Sequence, residues 1–281
     1  MVPWWDIPIL VSLGLLAGGL AGLLGIGGGL IFAPVLLWLN LPPHQALATS
    51  SFAIVPTALA GTIVHLQSGS LPTRSALAIG LAGFGSAFLF GGLGGLAAGW
   101  VLLAMQTAVY VLLAFTIKEP PKAEAEPDPN RETVTGIEIE KEKKEEITKP
   151  VCSETEETSA PLLAGVGCIA GWTAGMLGLG GGLVLVPLMS GSFAVPIHRA
   201  IRLSTVAVLC SASAASLQFL HEGRGIPWMG LTLGSVAALA AQWSARRLDL
   251  FDSSVLIRCL RGLALVLAID SSRRAIQLVL N

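Results

Sequence analysis

Long apolar segments dominate this sequence, and their length decides which folds are open to the chain. A helix needs about 20 predominantly apolar residues to cross a lipid bilayer. Charged residues make up only 12% of the chain, about half the share found in a typical soluble domain. The apolar segments run over about 7–39, 44–66, 74–96, 99–117, 161–190, 203–220, 226–244 and 254–270. The sequence therefore predicts an all-α polytopic membrane protein.

The charged residues are concentrated in one stretch, residues 118–157. This stretch holds 7 of the 17 basic residues, 13 of the 18 acidic residues and every lysine of the chain. It has too few apolar residues to bury a core. We predict a disordered linker over 118–160, between membrane units at 1–117 and 161–281. A short surface helix over 138–146 is the alternative.

Two of the apolar segments are too long for one straight crossing. A helix over residues 7–39 would be about 50 Å long, whereas the hydrocarbon core of a bilayer is about 30 Å thick. Glycine and proline weaken helix continuity. Both segments contain a glycine cluster followed by a proline, at 25–29 with Pro34 and at 178–182 with Pro187. We predict that each segment forms two half-helices with a break between them.

The chain also repeats itself. The pattern Gly-xxx-Gly-xx-Gly-x-Gly-Gly-Gly-xxxx-Pro begins at Gly18 and again at Gly171, 153 residues later. His44-x-Ala-xxx-Ser-Ser then matches His198-x-Ala-xxx-Ser-Thr, 154 residues apart. The sequence thus predicts two homologous repeats, 1–117 and 161–281.

The broken segments allow two topologies. If they cross the membrane, each repeat has four crossings and the repeats are parallel; if they re-enter, each has three crossings and the repeats are inverted. Cytoplasmic loops are enriched in lysine and arginine. The inverted arrangement places seven arginines on the side of the linker and three on the other, whereas the parallel arrangement gives no bias. We predict inverted repeats in a prokaryotic inner membrane, with a cytoplasmic linker and both termini outside.

The paired breaks are the first candidate for a binding site, and an anion is the expected ligand. Non-helical backbone at membrane depth has to be buried in protein or line a cavity, and a half-helix presents free N–H groups and a positive dipole end. The alternative is that these glycines only let helices pack closely, an interpretation that suits Gly18, Gly22, Gly171 and Gly175 better than binding does. The candidate ligand-binding glycines are Gly27, Gly28, Gly29, Gly180, Gly181 and Gly182.

Hydroxyl groups at the start of one crossing in each repeat are the second candidate. They can donate hydrogen bonds to an oxyanion, or they can bind the carbonyls of their own helix; the sequence leaves both open. The residues are Thr49, Ser50, Ser51, Ser204 and Thr205. Secondary candidates, for gating or for attracting an anion, are Pro34, His44, Pro187, His198 and Arg202.

Other function classes lack their sequence patterns. The chain has no phosphate-binding loop, no HExxH, no GxSxG and no cysteine pair with metal-ligand spacing. We expect no enzymatic activity, no cofactor, no metal site and no nucleic-acid partner. The expected partners are a small anion and the bilayer; a coupling ion (proton or sodium) and oligomerisation are left open.

The sequence resembles the sulfite exporter TauE/SafE family of membrane permeases. The resemblance is carried by GLLAGGLAGLLGIGGGLIFAPVLL, PPHQALATSS and GSLP in the first repeat, and by GWTAGMLGLGGGLVLVPL, PIHRAIRLST and GRGIP in the second. It implies a secondary permease for sulfite, sulfonates or related small anions, with the breaks and the hydroxyls facing the substrate path. The long charged linker departs from the short loop that usually joins the repeats.

We therefore expect a secondary transporter that moves a small sulfur-containing anion outward by alternating access between the repeats. An anion channel and a permease for a small carboxylate are the alternatives. A membrane scaffold whose linker recruits a partner is a third. For a scaffold, deleting the linker would abolish function, whereas the glycine clusters would tolerate alanine.

The topology can be tested by cysteine labelling in intact cells. Single cysteines placed in the linker should react only with a membrane-permeant maleimide, because the linker is expected inside. A cysteine at Asn281 should react with an impermeant reagent. Labelling of both positions from the same side would contradict the inverted arrangement.

Overall fold

The computed structural model describes residues 7–24, 27–68, 73–116, 160–192, 197–247 and 253–280. Within these ranges the chain forms ten α-helices and no strands: α1 (Ile7–Leu24), α2 (Gly29–Trp38), α3 (Pro43–Gln67), α4 (Thr73–Gly94), α5 (Gly99–Thr116), α6 (Ala160–Leu177), α7 (Gly182–Ser192), α8 (Ile197–His221), α9 (Pro227–Ala245) and α10 (Ser253–Leu280). The predicted all-α polytopic fold is confirmed. The predicted linker lies outside the described residues, except for Ala160, where α6 begins.

Two helices extend beyond their apolar segments. Helix α8 begins at Ile197, although its apolar segment starts only after Arg202. Helix α10 continues past Asp270 to Leu280. A charge ends an apolar segment but does not end a helix, and in α10 the charges support it: Arg274 Nε lies 3.1 Å from Asp270 Oδ2, one turn away.

Several helices have the composition and surface of membrane spans. Among the described residues, three stretches are long and apolar enough to cross a membrane: Pro43–Gln67, Ser75–Gly94 and His198–His221. Large apolar side chains point outward, as at Leu81 and Leu89 of α4, which are 72% and 70% exposed. Lipid tails are as apolar as leucine, so such a surface is stable in a bilayer.

The helix contacts follow an exchange of the two repeats. Helix α1 packs against α9, and its counterpart α6 packs against α4. In the same way, α3 packs against α9 and α8 against α4. The equivalent helices α3 and α8 pack against each other, as do α5 and α10. The most extensive helix contacts therefore join one repeat to the other, and the repeats are intertwined.

Small residues make the contact between α1 and α9. Gly18 lies against Ala237, where a Cβ on the glycine would overlap the alanine backbone. One turn later, a Cβ on Gly22 would lie 3.0 Å from the Cα atom of Ala241. Both helices therefore run in the same direction, and these two glycines serve packing.

The second repeat forms the matching contact between α6 and α4. A Cβ on Gly171 would lie 2.7 Å from the Cβ of Ser86, and one on Gly175 would lie 2.7 Å from the backbone nitrogen of Gly91. Ser86 also donates a hydrogen bond of 2.7 Å to the carbonyl of Cys168. The packing interpretation thus agrees with the contacts of all four GxxxG glycines.

The direction of α3 shows how the first broken segment is arranged. A Cβ on Gly230 of α9 would lie 2.6 Å from Phe52 Cβ, and one on Gly234 would lie 2.6 Å from Pro56 Cγ. Helices α9 and α3 are therefore parallel. Since α1 is also parallel to α9, α1 and α3 run in the same direction. Helix α2 must then return the chain, as a re-entrant hairpin requires.

Helix α3 and its counterpart α8 run in opposite directions. Gly27 packs against both Ile54 of α3 and Val208 of α8. Seven residues further along α3, a Cβ on Gly61 would lie 3.0 Å from Cγ2 of Thr205, which precedes Val208 on α8. Antiparallel equivalent helices are what inverted repeats require. The side of the membrane that each end faces stays a prediction.

Two adjacent glycines of α1 provide a test of this packing. Gly18→Ala should destabilise the protein by about 1–3 kcal/mol, because the new methyl group overlaps the α9 backbone. Gly19→Ala should leave stability unchanged or raise it, because a Cβ there meets nothing within 4 Å and alanine favours the helix. Thermal unfolding in detergent would measure both changes. Equal unfolding midpoints for the two variants would contradict the α1–α9 contact.

Candidate functional site

Each of the two overlong apolar segments is interrupted at its predicted glycine cluster. Residues 25 and 26 lie outside the described part of the chain. Helices α2 and α7 begin at Gly29 and Gly182, the last glycine of each cluster. The glycines before them have the left-handed backbone conformation, which side chains with a Cβ rarely adopt. Their φ angles are 68° at Gly27, 79° at Gly28, 62° at Gly178, 76° at Gly180 and 74° at Gly181.

The two breaks meet where α3 crosses α8. A Cβ on Gly27 would overlap Val208 and lie 2.9 Å from Cγ2 of Ile54. A Cβ on Gly180 would lie 3.1 Å from Val208 Cγ1 and 3.2 Å from Ile54 Cγ2. The same two side chains, which are equivalent positions in the repeats, thus contact both breaks. The structure brings Gly27 and Gly180 to one place, whereas a Cβ on Gly28 would meet Phe32 of its own half-helix and one on Gly181 would meet the backbone of Ala170 in α6.

The half-helix α2 begins directly at this place. The carbonyl of Gly28 accepts hydrogen bonds from the backbone N–H groups of Ile31 (2.9 Å) and Phe32 (3.0 Å). A Cβ on Gly29 would lie 2.5 Å from the carbonyl oxygen of Leu179 in the other break. The first N–H groups of a helix have no partner within it, and they carry its partial positive charge. This charge is therefore placed at the junction of the two breaks.

Pro34 and Pro187 lie inside the half-helices α2 and α7. A proline has no N–H group, so the carbonyl four residues earlier loses its usual helix partner. In α2 this is the carbonyl of Leu30, and in α7 that of Leu183. Both half-helices therefore have a weakened first turn next to the break.

Among the predicted hydroxyls, Ser50 connects the two repeats. It is fully buried, and its Oγ lies 2.7 Å from the carbonyl oxygen of Leu47 and 2.8 Å from that of Gly178 in the second break. A serine hydroxyl has one proton to donate, so these two carbonyls share it. Its neighbour Ser51 also bonds to Leu47, at 3.4 Å.

The other predicted hydroxyls bind backbone groups as well. Ser204 and Thr205 each donate to the carbonyl of Ile201 at 2.9 Å. Thr49 accepts a hydrogen bond of 2.9 Å from the N–H of Ile226, which caps the start of α9. The contacts of Ser204 and Thr205 fit the alternative that the hydroxyls bind their own helix, whereas Thr49 bonds to the other repeat. Substrate binding by these hydroxyls stays a prediction. A hydroxyl that donates to a substrate has to break its hydrogen bond to a backbone carbonyl.

One equivalent pair of hydroxyls at the breaks was not among the predicted site residues. Thr57 Oγ1 lies 2.8 Å from the carbonyl oxygens of both Gly27 and Ile54, which share its one proton. Ser211 Oγ lies 3.2 Å from the carbonyl oxygen of Gly180. The two residues are 154 positions apart, the offset that also relates His44 to His198, and this offset is the signal that could have found them.

A second equivalent pair has buried hydroxyls with no partner. Thr62 of α3 and Ser216 of α8 are 6% and 7% exposed, and neither hydroxyl has a hydrogen-bond partner in the described part of the chain. They too are 154 residues apart. Because α3 and α8 are antiparallel, the two hydroxyls lie on opposite sides of the breaks. A buried hydroxyl without a partner is costly, which suggests a ligand or water there.

Charged and polar residues close the end of the molecule where α8 terminates. The Arg224 guanidinium pairs with Glu222, donates to the carbonyl of Gly91 and lies 4.8 Å from the ring centroid of Phe219. Gln218 Nε2 donates to Glu222 Oε1 at 2.6 Å. This group, here called the Arg224 cluster, fastens the end of α8 to α4.

The remaining candidates lie away from the breaks. His44 and His198 are the second residues of α3 and α8, and both are partly buried. Arg202 lines a cavity at the end of α3 that is distant from the Arg224 cluster. The structure therefore does not bring these three residues to the glycine breaks.

Comparison with known proteins places this chain in a family. The family described as sulfite exporter TauE/SafE matches residues 10–271. The probable membrane transporter protein YunE of Bacillus subtilis is 24% identical over 237 residues, 79% of this chain and 80% of the relative. A probable membrane transporter protein of Xylella fastidiosa (strain Temecula1) is 29% identical over 206 residues, 71% of this chain and 69% of the relative.

A plant relative matches over a shorter stretch. Sulfite exporter TauE/SafE family protein 6 of Arabidopsis thaliana is 41% identical over 61 residues, 22% of this chain and 14% of the relative. No solved structure matches the chain. With nearly its whole length matched by the family and its helices arranged as apolar spans around paired breaks, this chain is an integral membrane protein that belongs to the TauE/SafE family of membrane transporters.

Proposed function

We propose that this protein is a secondary transporter that exports a small sulfur-containing anion, such as sulfite or an organosulfonate, by exposing one site alternately to the two sides of the membrane. Family membership supports membrane transport, and the family description and the names of the Arabidopsis relatives refer to sulfite export. The observation that carries the proposal is the meeting of both glycine breaks at the crossing of α3 and α8.

The chemistry of this crossing suits an anion. Helix α2 directs its N-terminal N–H groups to the junction, and glycine allows a ligand to approach the backbone closely. The side chains around Gly27 and Gly180 are apolar or carry hydroxyls: Ile54, Val208, Thr57 and Ser211. Cation sites in membranes usually use buried carboxylates, whereas the two hydroxyls and the backbone N–H groups can hold an oxyanion through donated hydrogen bonds.

The crossing is closely packed in this structure, so substrate binding needs a local change. Ser50 bonds to Gly178, and Thr57 and Ser211 bond to Gly27 and Gly180. A hydroxyl can rotate its one proton from a carbonyl to a substrate oxygen without moving its helix. The exchange leaves the carbonyl without its partner, which costs about 1–3 kcal/mol, so the new hydrogen bond to the charged substrate has to outweigh this loss.

Flux measurements on the full chain in proteoliposomes test this proposal. Radiolabelled sulfite, an organosulfonate such as sulfoacetate, and acetate are compared as substrates. We expect saturable uptake of a sulfur anion that is accelerated by the same anion on the other side, because a carrier exchanges loaded forms faster than it returns empty. Flux that rises linearly with concentration would indicate a channel, and saturable flux of acetate alone would indicate a carboxylate permease; either result would overturn the proposal.

The two hydroxyls without partners give a sharper test of the path. Thr62→Val and Ser216→Ala should each lower substrate flux at least tenfold, since a hydrogen bond to a charged ligand contributes about 1.5–3 kcal/mol. Thermal stability should stay the same or rise, because an unpartnered buried hydroxyl is removed. Both quantities can be measured on the same purified protein.

Ser213→Ala is the matched control on α8. Its hydroxyl already bonds to the Leu209 carbonyl at 2.7 Å, so flux should remain within about twofold of the parent protein, while about 1 kcal/mol of stability is lost. More stable Thr62→Val and Ser216→Ala proteins with unchanged flux would remove these hydroxyls from the transport path.

A further inference from the structure

A cavity of about 270 Å³ lies at the end of the molecule opposite the Arg224 cluster. The C-terminal ends of α3 and α9 and the first turns of α8 form its walls. Because α3 and α8 are antiparallel, the cavity and the Arg224 cluster lie at opposite ends of this helix pair. Its lining residues are Val64, His65, Gln67, Ser68, Arg202, Ala245 and Arg246.

Two of the lining residues are arginines, Arg202 and Arg246. Arg202 is partly buried, and its Nε atom is inaccessible to solvent. Arg246 reaches the cavity from the end of α9 and is exposed. His65, Gln67 and Ser68 add hydrogen-bonding side chains, and none of the described residues that line the cavity is acidic. The two arginines therefore make the described part of this lining positive.

The size and the donors of the cavity select a class of ligand. A volume of about 270 Å³ leaves room for a small anion together with water. Guanidinium groups form paired hydrogen bonds with planar or tetrahedral oxyanions. A small oxyanion with several oxygen atoms fits both conditions. It can be a free ion, such as sulfite or sulfate, or the phosphate of a lipid headgroup.

The cavity lies about two helix turns from the crossing of the breaks. On α8, Arg202, Thr205 and Val208 follow one another at intervals of three residues, so Arg202 lies about 9 Å along the axis from the residue that contacts both breaks. On α3, the unpartnered hydroxyl of Thr62 is one turn from His65, toward the breaks. Polar groups therefore continue from the cavity into the helix pair.

We propose that this cavity is an oxyanion-binding vestibule, in which Arg202 and Arg246 bind a free small oxyanion before it reaches the breaks. The inference rests on the proposed function only for this last step, since binding itself does not depend on transport. The competing explanation is that the arginines merely balance the negative C-terminal ends of α3 and α9.

Calorimetry tests the vestibule, by measuring the equilibrium binding of sulfate and of sulfite to the full chain in detergent. Arg202→Gln and Arg246→Gln should each weaken binding at least tenfold. Arg247→Gln is the matched control: it removes the same charge from the adjacent position, but the Arg247 guanidinium lies over the Trp243 ring at 4.2 Å. Binding to this control should change less than twofold.

Thermal unfolding separates binding from helix stabilisation. If the arginines only balance helix ends, Arg202→Gln and Arg246→Gln lower the unfolding midpoint without changing the affinity for sulfate, and the proposal is wrong. Equal weakening by all three variants would show a general effect of surface charge and would also overturn it.

Lipid competition distinguishes the two sources of oxyanion. Phosphatidylglycerol and phosphatidylcholine are added in turn to the delipidated protein. A free-ion site binds sulfate without lipid, and phosphatidylcholine leaves the affinity unchanged. Binding of phosphatidylglycerol that depends on Arg202, with no binding of sulfate to the delipidated protein, would assign the cavity to a lipid phosphate and reject the free ion.

Flux measurements distinguish a failure of the vestibule proposal from a failure of the proposed function. Saturable sulfite flux in the parent protein together with unchanged sulfate affinity in Arg202→Gln rejects the vestibule and leaves the transporter. Arginine-dependent binding in a protein without saturable flux rejects the transporter and leaves the vestibule.

Discussion

A peptide group that leaves a helix within a bilayer has to find its hydrogen-bond partner inside the protein. Each break has one such partner among the hydroxyls of the central helices: Thr57 Oγ1 lies 2.8 Å from the Gly27 carbonyl oxygen, and Ser211 Oγ lies 3.2 Å from that of Gly180. Glycine permits the backbone to come close enough to α3 and α8 for these bonds. The crossing, the half-helices and the position of the candidate site all depend on this arrangement.

The intertwined packing restricts how access can alternate. Helices α1, α3 and α9 pack as one parallel group. Their equivalents α6, α8 and α4 pack as a second group. Each group contains helices of both repeats. A rigid rotation of one repeat against the other would therefore break the closest helix contacts. Movement between the two mixed groups is less costly. It would stretch the Ser50–Gly178 bond, which joins α3 to the second break.

The sequence predicted the features that depend on spacing along the chain: the two repeats, the broken helices and the packing role of Gly18 and Gly22. It could not assign α9 as the partner of α1, because the choice of partner depends on surfaces from distant segments. Thr57 and Thr62 were missed for another reason. Hydroxyls inside an apolar helix usually bind its own carbonyls, and only the repeat offset and the burial seen in three dimensions set these two apart.

The exchange of helices between repeats has a consequence for biosynthesis. Helix α9 begins about 200 residues after α1 ends, which takes roughly 10–40 s at a synthesis rate of about 5–20 residues per second. During that interval the glycine face of α1 has no native partner, whereas α4 meets α6 as soon as the linker has been made. Helix α1, which is made before the other described helices, is thus among the last of them to dock, and the nascent chain must hold an incomplete first repeat in the membrane until the second is nearly finished.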